Sequence, residues 1–172
     1  MSLWIRALCR QPLGANFAPG PLTAALRKLD FAMMAEAQGL DDEAGYAAEH
    51  ALRIEAEADA PNLLFLYCRP ENPEYFIRIE SWEGDEMAGE IEELVEATED
   101  AEGAGAARVR DHLRGVVQSV AFELKASDTE RMGVQIAFHA ATWMAVQGDG
   151  LVEFEDEWFD PAVSTFKPIL TG

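Results

Sequence analysis

Three histidines are the side chains of this sequence that titrate near neutral pH, and they stand in different settings. His139 lies between Phe138 and Ala140, with Gln135 and Trp143 one helical turn away on either side. A histidine and a tryptophan four residues apart share a helix face, so His139 and Trp143 could line a pocket where an imidazole works as acid, base or ligand. No Cys, Asp or Glu stands three or four residues from His139, and the same spacing suits a core or helix-face histidine. His50, beside Glu49 near an expected helix end, reads as a surface residue. His112, among Arg110, Asp111 and Arg114, reads as part of a solvated helix face.

Carboxylates are the second candidate chemistry. Glu153, Glu155, Asp156, Glu157 and Asp160 crowd the C-terminal region. Hard cations need several oxygens converging on one point, whereas a strand would spread Glu153, Glu155 and Glu157 over about 13 Å of one face. The spacing also departs from a calcium-binding loop, so no metal ligand is assigned. A solvated or partner-facing strand edge fits better. Trp82, Trp143, Trp158 and Phe159 could line a pocket, but large aromatics usually pack in a core. Trp158-Phe159, just beyond the acidic strand, read as core or else as apolar anchors ringed by charge. Glu83, Asp85, Glu86, Glu90, Glu92, Glu93 and Glu96 open a window to Glu102 that holds no basic residue, and Glu90 and Glu93 are the candidate contacts there.

Signatures of nucleotide, acyl-transfer and zinc-protease chemistry are missing: there is no GxxxxGK[ST], GxSxG or HExxH. Glu102-Gly103-Ala104-Gly105 follows an acidic helix rather than a strand, and reads as a helix break. No cofactor is assigned. The formal net charge is −19, from 13 basic and 32 acidic side chains. Such a field repels phosphate backbones and anionic membrane surfaces and attracts a basic protein. The same acidity also serves solubility alone. Cys9 and Cys68 form no CxxC pair and read as small buried hydrophobes. The N-terminus has no signal-peptide pattern and no run approaches a membrane span, so the expected location is the cytoplasm.

These residues need a scaffold. At 172 residues and 49% hydrophobic, the chain suits one domain with a full core, residues 1–172. Leu3 to Arg10 alternates as a strand, with Leu3, Ile5, Ala7 and Cys9 on one face and Trp4 and Leu8 on the other. Pro21 opens a helix whose Leu22, Ala25, Leu26, Leu29 and Met33 run to a stop at Gly39. Asp41 to Ala51 predicts a second helix. Leu52 to Glu57, Leu63 to Tyr67 and Tyr75 to Trp82 read as a three-strand meander. The continuous run Leu63-Leu64-Phe65-Leu66-Tyr67 suggests a strand covered on both faces. Met87, Ile91, Leu94 and Val95 give the acidic window from Glu83 to Glu102 an apolar stripe, hence an amphipathic helix. Ala106 to Arg114 follows as a short helix whose Arg108, Arg110 and Arg114 could answer those acids. Val116 to Leu124 is a strand, Ser127 and Glu130 fit a capping box, and a helix runs from Met132 to Gly148. Leu151 to Glu155 is the last strand. Helices and strands do not alternate, so the expected class is α+β: an antiparallel or mixed sheet of about six strands with helices mainly on one face.

Phe122-Glu123-Leu124, Met132-Gly133-Val134 through Trp143-Met144-Ala145, Gln147-Gly148-Asp149-Gly150-Leu151 and Trp158-Phe159-Asp160-Pro161 together resemble the C-terminal part of small uncharacterised bacterial proteins. Some of those are similar to immunity proteins of toxin systems. The resemblance spans about the last third and carries over no functional residue. It implies a compact α+β protein that neutralises a toxin by binding it. The expected function is therefore non-enzymatic binding of a basic protein, with a small-molecule enzyme or sensor at His139 and Trp143 as the alternative.

Overall fold

The computed structural model describes residues 1–164 and 166–172. Seven strands form one antiparallel sheet in the order β2-β3-β4-β5-β1-β6-β7. They are β1 (Ser2–Cys9), β2 (Arg53–Glu57), β3 (Ala60–Tyr67), β4 (Ile77–Glu83), β5 (Gln118–Lys125), β6 (Gly150–Phe154) and β7 (Glu157–Phe159). Among the described residues six α-helices complete the fold: α1 (Pro19–Leu26), α2 (Phe31–Ala37), α3 (Asp42–Ala51), α4 (Ala88–Ala97), α5 (Ala104–Leu113) and α6 (Met132–Gln147). The α+β class and the antiparallel sheet stand as expected, with one strand more. No helix among the described residues is long and apolar enough to cross a membrane.

Alternation along β1 sorts the sheet into two faces. Ile5, Ala7 and Cys9 join Leu64, Leu66, Ile77, Ile79, Val120, Phe122 and Val152 in the larger core, against α1, α2, α3 and α6. Leu8 on the opposite face joins Leu151, Trp158, Val109 and Leu113 in a smaller core beneath α5, with Ile91, Leu94 and Val95 of α4 packed on it. Four helices thus cover most of one face, and two cover part of the other.

Helix α6 is buried almost all round, which suits the central helix of a closed layer. It ends at Gly148, where a side chain would meet Cys9 Sγ at 2.5 Å. Both cysteines are free and buried, and burial pushes each thiol up to about 12, so they act as packing residues.

Several local expectations are corrected. The helix expected from Pro21 to Gly39 is two helices. The Asp30 carboxylate accepts the Met33 N–H at 3.0 Å and starts α2 afresh, which turns Met33 out to solvent. The capping box at Ser127 and Glu130 does not form. Asp128 takes the Lys125 N–H (2.8 Å), the Tyr75 hydroxyl (2.5 Å) and Arg69 Nη2 (2.7 Å) while fully buried, and Arg131 stands at the start of α6. Charge-assisted bonds to a buried carboxylate outweigh a local helix cap. The run in β3 is covered on one face only, since Leu64 and Leu66 are buried but Leu63, Phe65 and Tyr67 are half-exposed. The strand buried on both faces is the central β5. The acidic window begins with a 3-10 turn, Gly84–Met87, and is helical only through α4.

The acidic last strand is a hairpin. Glu155 and Asp156 take left-handed φ values of 50° and 63°, the geometry of a tight two-residue turn, and β7 returns along β6. The tail then shields β7: the Trp158 N–H donates to Leu170 O (2.8 Å) and the Ile169 N–H to Trp158 O (2.7 Å).

Glycine effects separate helix propensity from packing. A Cβ at Gly45 in α3 would lie 2.3 Å from Phe31 O, whereas one at Gly89 in α4 meets nothing within 4 Å. Gly89→Ala should therefore raise stability by up to about 1 kcal/mol. Gly45→Ala should lower it by about 1–3 kcal/mol despite the same propensity gain. Urea unfolding of both variants checks the opposite signs.

Candidate functional site

The face of the sheet that α4 and α5 leave partly open is set by cross-strand register. One row across it runs Glu80 (β4), Ala121 (β5), Arg6 (β1), Glu153 (β6) and Trp158 (β7). The next row toward β1's N-terminus holds Phe65 (β3), Arg78 (β4), Glu123 (β5) and Trp4 (β1). The row on the other side holds Trp82 (β4), Ser119 (β5) and Leu8 (β1). Ala121 is the small residue at the centre of this pattern. Trp4 and Trp82 stand diagonally across it from strands on either side of β5.

Arg6 organises the centre. Its Nε lies 2.7 Å from Glu90 Oε1 of α4, and its Nη1 lies 2.6 Å from Glu153 Oε2 of β6. The second oxygen of Glu90 accepts the Ser119 hydroxyl at 2.9 Å, and that of Glu153 accepts the Asp156 N–H at 3.2 Å. These contacts tie α4 and the β6–β7 turn to one guanidinium. Burial opposes the Arg6 charge, but Glu153 and Glu90 together hold its pKa above the usual value. Beside Arg6, a cleft of about 370 Å³ is lined by Trp4, Trp82, Ala121, Glu86 and Glu90.

The open face continues over β3 and β4 as an aromatic surface. Phe65 and Tyr67 pack on Phe76, with centroids 4.6 and 5.8 Å apart, and Phe76 is itself 40% exposed. Arg53 lies over the Tyr67 ring at 3.8 Å. The surface is therefore mixed: exposed apolar rings carrying charged residues at their edges.

The residues singled out from sequence are distributed unevenly across this site. Glu90 and Glu153 are brought together, but by Arg6, so their charges are already paired. Glu93 projects from α4 into solvent, Glu155 sits at the hairpin turn and Glu157 is half-exposed in β7. Trp158 and Phe159 are 3% and 7% exposed and belong to the two cores, so they anchor the fold and present no surface. Glu153, Glu155 and Glu157 do not share one strand face, because the turn at Glu155–Asp156 folds the segment back. Among the described residues no group of three or more His, Cys, Asp or Glu side chains is placed to hold a metal ion.

His139 is half-buried, 6.4 Å from Phe138 and 6.0 Å from Phe166 between ring centroids, and the clefts at Ala121 and beside α3 include neither it nor Trp143. His112 is not on a solvated face. It is fully buried, and its Nε2–H donates to Leu8 O at 2.7 Å. The short helix α5 turns inward at this position because Val109 and Leu113 must cover Leu8. The arginines of α5 answer other groups than expected: Arg110 donates to Thr98 O and Ala101 O, and Arg108 pairs with Asp160 at 3.3 Å.

Sequence reasoning missed Trp4 as a site residue, and weighed Trp82 as a pocket liner while favouring core packing. The signal for Trp4 was present: it sits on the face of β1 opposite Ile5, Ala7 and Cys9, next to the charged Arg6. A tryptophan flanked by a charge on a strand's minor face marks a surface that is not sealed by core.

Two measurements test this geometry. Arg6→Ala leaves Glu153, only 6% exposed, without its cation, and should cost about 3 kcal/mol in chemical denaturation. For pH, burial lowers the pKa of both His112 and His139 below the ordinary histidine value. The unfolded chain then binds protons that the folded one refuses, so this stability is complete above about pH 6.5 and is lost as pH falls through the folded values. Urea midpoints between about pH 7.5 and 5.5 should decline toward acid, and His112→Gln should flatten the decline.

No protein-family model, curated protein or solved structure matches this chain.

Proposed function

We propose that this protein is a non-enzymatic binding protein that engages a basic protein partner, in the manner of an immunity-type inhibitor of a cationic toxin. The observation that carries the reading is the open half of the sheet: exposed aromatic rings and two half-buried tryptophans beside α4 and its acidic flanks. Apolar anchors within a charged rim form a protein-recognition surface, the rings supplying area and the carboxylates the choice of partner. Glu83, Asp85, Glu86, Glu92 and Glu93 are all exposed around the N-terminal half of α4, and none has an ion-pair partner among the described residues. Their field is thus available to an approaching cation.

Nucleases and other enzymes acting on anionic substrates carry basic surfaces, and an acidic inhibitor occupies such a surface by charge complementarity. The resemblance of the C-terminal third to small bacterial proteins, some of them similar to immunity proteins, fits the same partner class, although α6 and the β6–β7 hairpin it covers serve mainly as scaffold.

The test is calorimetric titration against the purified product of any toxin gene adjacent to this one. A 1:1 complex should form, and raising salt from about 50 to 300 mM should weaken its affinity by about tenfold or more, because the Debye length shortens by about 2.4-fold and the attraction between the two charged surfaces falls steeply with it. Glu86→Gln combined with Glu93→Gln should reproduce part of that loss at low salt. Absence of any complex, or one indifferent to salt and to these variants, would sink the proposal.

A further inference from the structure

We propose that the cleft over Ala121 is the seat for one arginine side chain of the partner, a reading that rests on the proposed function and assigns it an address. Three independent features of the cleft select this group.

The first is shape. Ala121 faces Glu80 on one neighbouring strand and Arg6 on the other, and its methyl group leaves a hollow where longer side chains would meet. Trp4 and Trp82 rise on opposite sides of that hollow, enclosing about 370 Å³. The space suits a flat group that makes contact through its faces. Among protein side chains a guanidinium is planar and delocalised, and it stacks on indole while its edge remains free to donate.

The second is charge. Arg6 lines the cleft, yet its guanidinium is bound by Glu90 and Glu153 and does not oppose a second cation as a free one would. Glu86 stands exposed at the mouth with no hydrogen-bond or ion-pair partner among the described residues. An arginine stacked on the indoles places its edge toward that carboxylate. Arginine is favoured over lysine because an ammonium holds its hydration shell more tightly and has no face to offer the rings.

The third is continuity. The cleft opens onto the same sheet face that carries Phe65 and Phe76, so a side chain entering it would belong to a partner laid across that surface. A free small molecule would leave those rings in water.

Titration of the 15N-labelled protein with N-acetyl-L-arginine amide, up to about 50 mM, reads the four tryptophan indole N–H signals separately; single-residue affinity is expected on the order of millimolar. The Trp4 and Trp82 signals should shift together, while those of Trp143 and Trp158 stay in place. N-acetyl-L-citrulline amide, neutral and nearly isosteric, should bind about tenfold more weakly, with the lysine analogue between them. Glu86→Gln should weaken arginine severalfold, and Ala121→Leu should abolish its effect by filling the hollow. Should Ala121→Leu unfold the sheet, as loss of dispersion of the remaining signals would reveal, Trp82→Ala makes the same test from the half-buried wall, read at the Trp4 signal. No shift at Trp4 and Trp82, or equal response to arginine and citrulline, overturns the assignment. If arginine amide binds as stated but no basic protein does, the cleft stands and the inhibitor reading fails. If a salt-sensitive complex forms with unchanged affinity in Trp82→Ala and Glu86→Gln, the inhibitor reading stands and the arginine seat is overturned.

Discussion

The double ion pair of Arg6 is the interaction on which the open face depends. A guanidinium near the middle of the sheet holds Glu90 from α4 and Glu153 from β6, two elements that meet nowhere else in sequence. Helix α4 buries none of its residues fully, so its apolar stripe alone is a weak anchor. The bond from Arg6, with the second bond from Ser119 to the same carboxylate, fixes how close α4 comes to β5. That distance decides whether Ala121 lies beneath a helix or beneath a cleft. Two charged groups brought into partial burial are tolerated because each remaining carboxylate oxygen also finds a donor.

The two faces of the sheet solve different problems. The face under α1, α2, α3 and α6 is closed, and its residues from Ile5 to Val152 form a continuous apolar core. It stabilises the molecule and presents nothing to a partner. The second face is divided. Around Leu8, Leu151 and Trp158 it is a second core, sealed by α5 and by the tail segment bridging Trp158 at Leu170. Toward β3 and β4 it stays accessible, with rings and charges alternating in cross-strand rows. A sheet can leave one face partly solvated when the other is covered, so part of the second face stays open to solvent.

Much of the architecture was legible because it rests on local periodicity. The faces of β1, the meander of β2 to β4, the apolar stripe of α4 and the stop of α6 at Gly148 follow from alternation, turn residues and helical spacing. The misreadings come from distant contacts and from turns that periodicity does not register. His112 sits among charged neighbours in sequence but points to Leu8 O, because α5 must bury Val109 and Leu113 on the same side. Trp158 and Phe159 follow a run of acids that looked like a partner-facing strand, yet the left-handed turn at Glu155 and Asp156 folds them back into core. Ser127 and Glu130 had the spacing of a cap, and the buried Asp128 between them outcompeted it by bonding Arg69 and Tyr75 from distant elements. For His112 and for the Ser127–Glu130 cap, a contact across many residues outweighed a preference written over a few.

The amino-acid sequence by itself determined the α+β class, the acidic character and its concentration on particular segments, since composition and short-range pattern need no partner to be expressed. Only the tertiary structure decided which aromatics became core and which became surface: Trp158 and Phe159 went inside, while Trp4 and Trp82 came to frame a cleft. The physical reason is register. A side chain's surroundings on a sheet depend on the residues opposite it, and β1 and β5, more than a hundred residues apart in the chain, set that alignment when Arg6 came to lie across from Ala121.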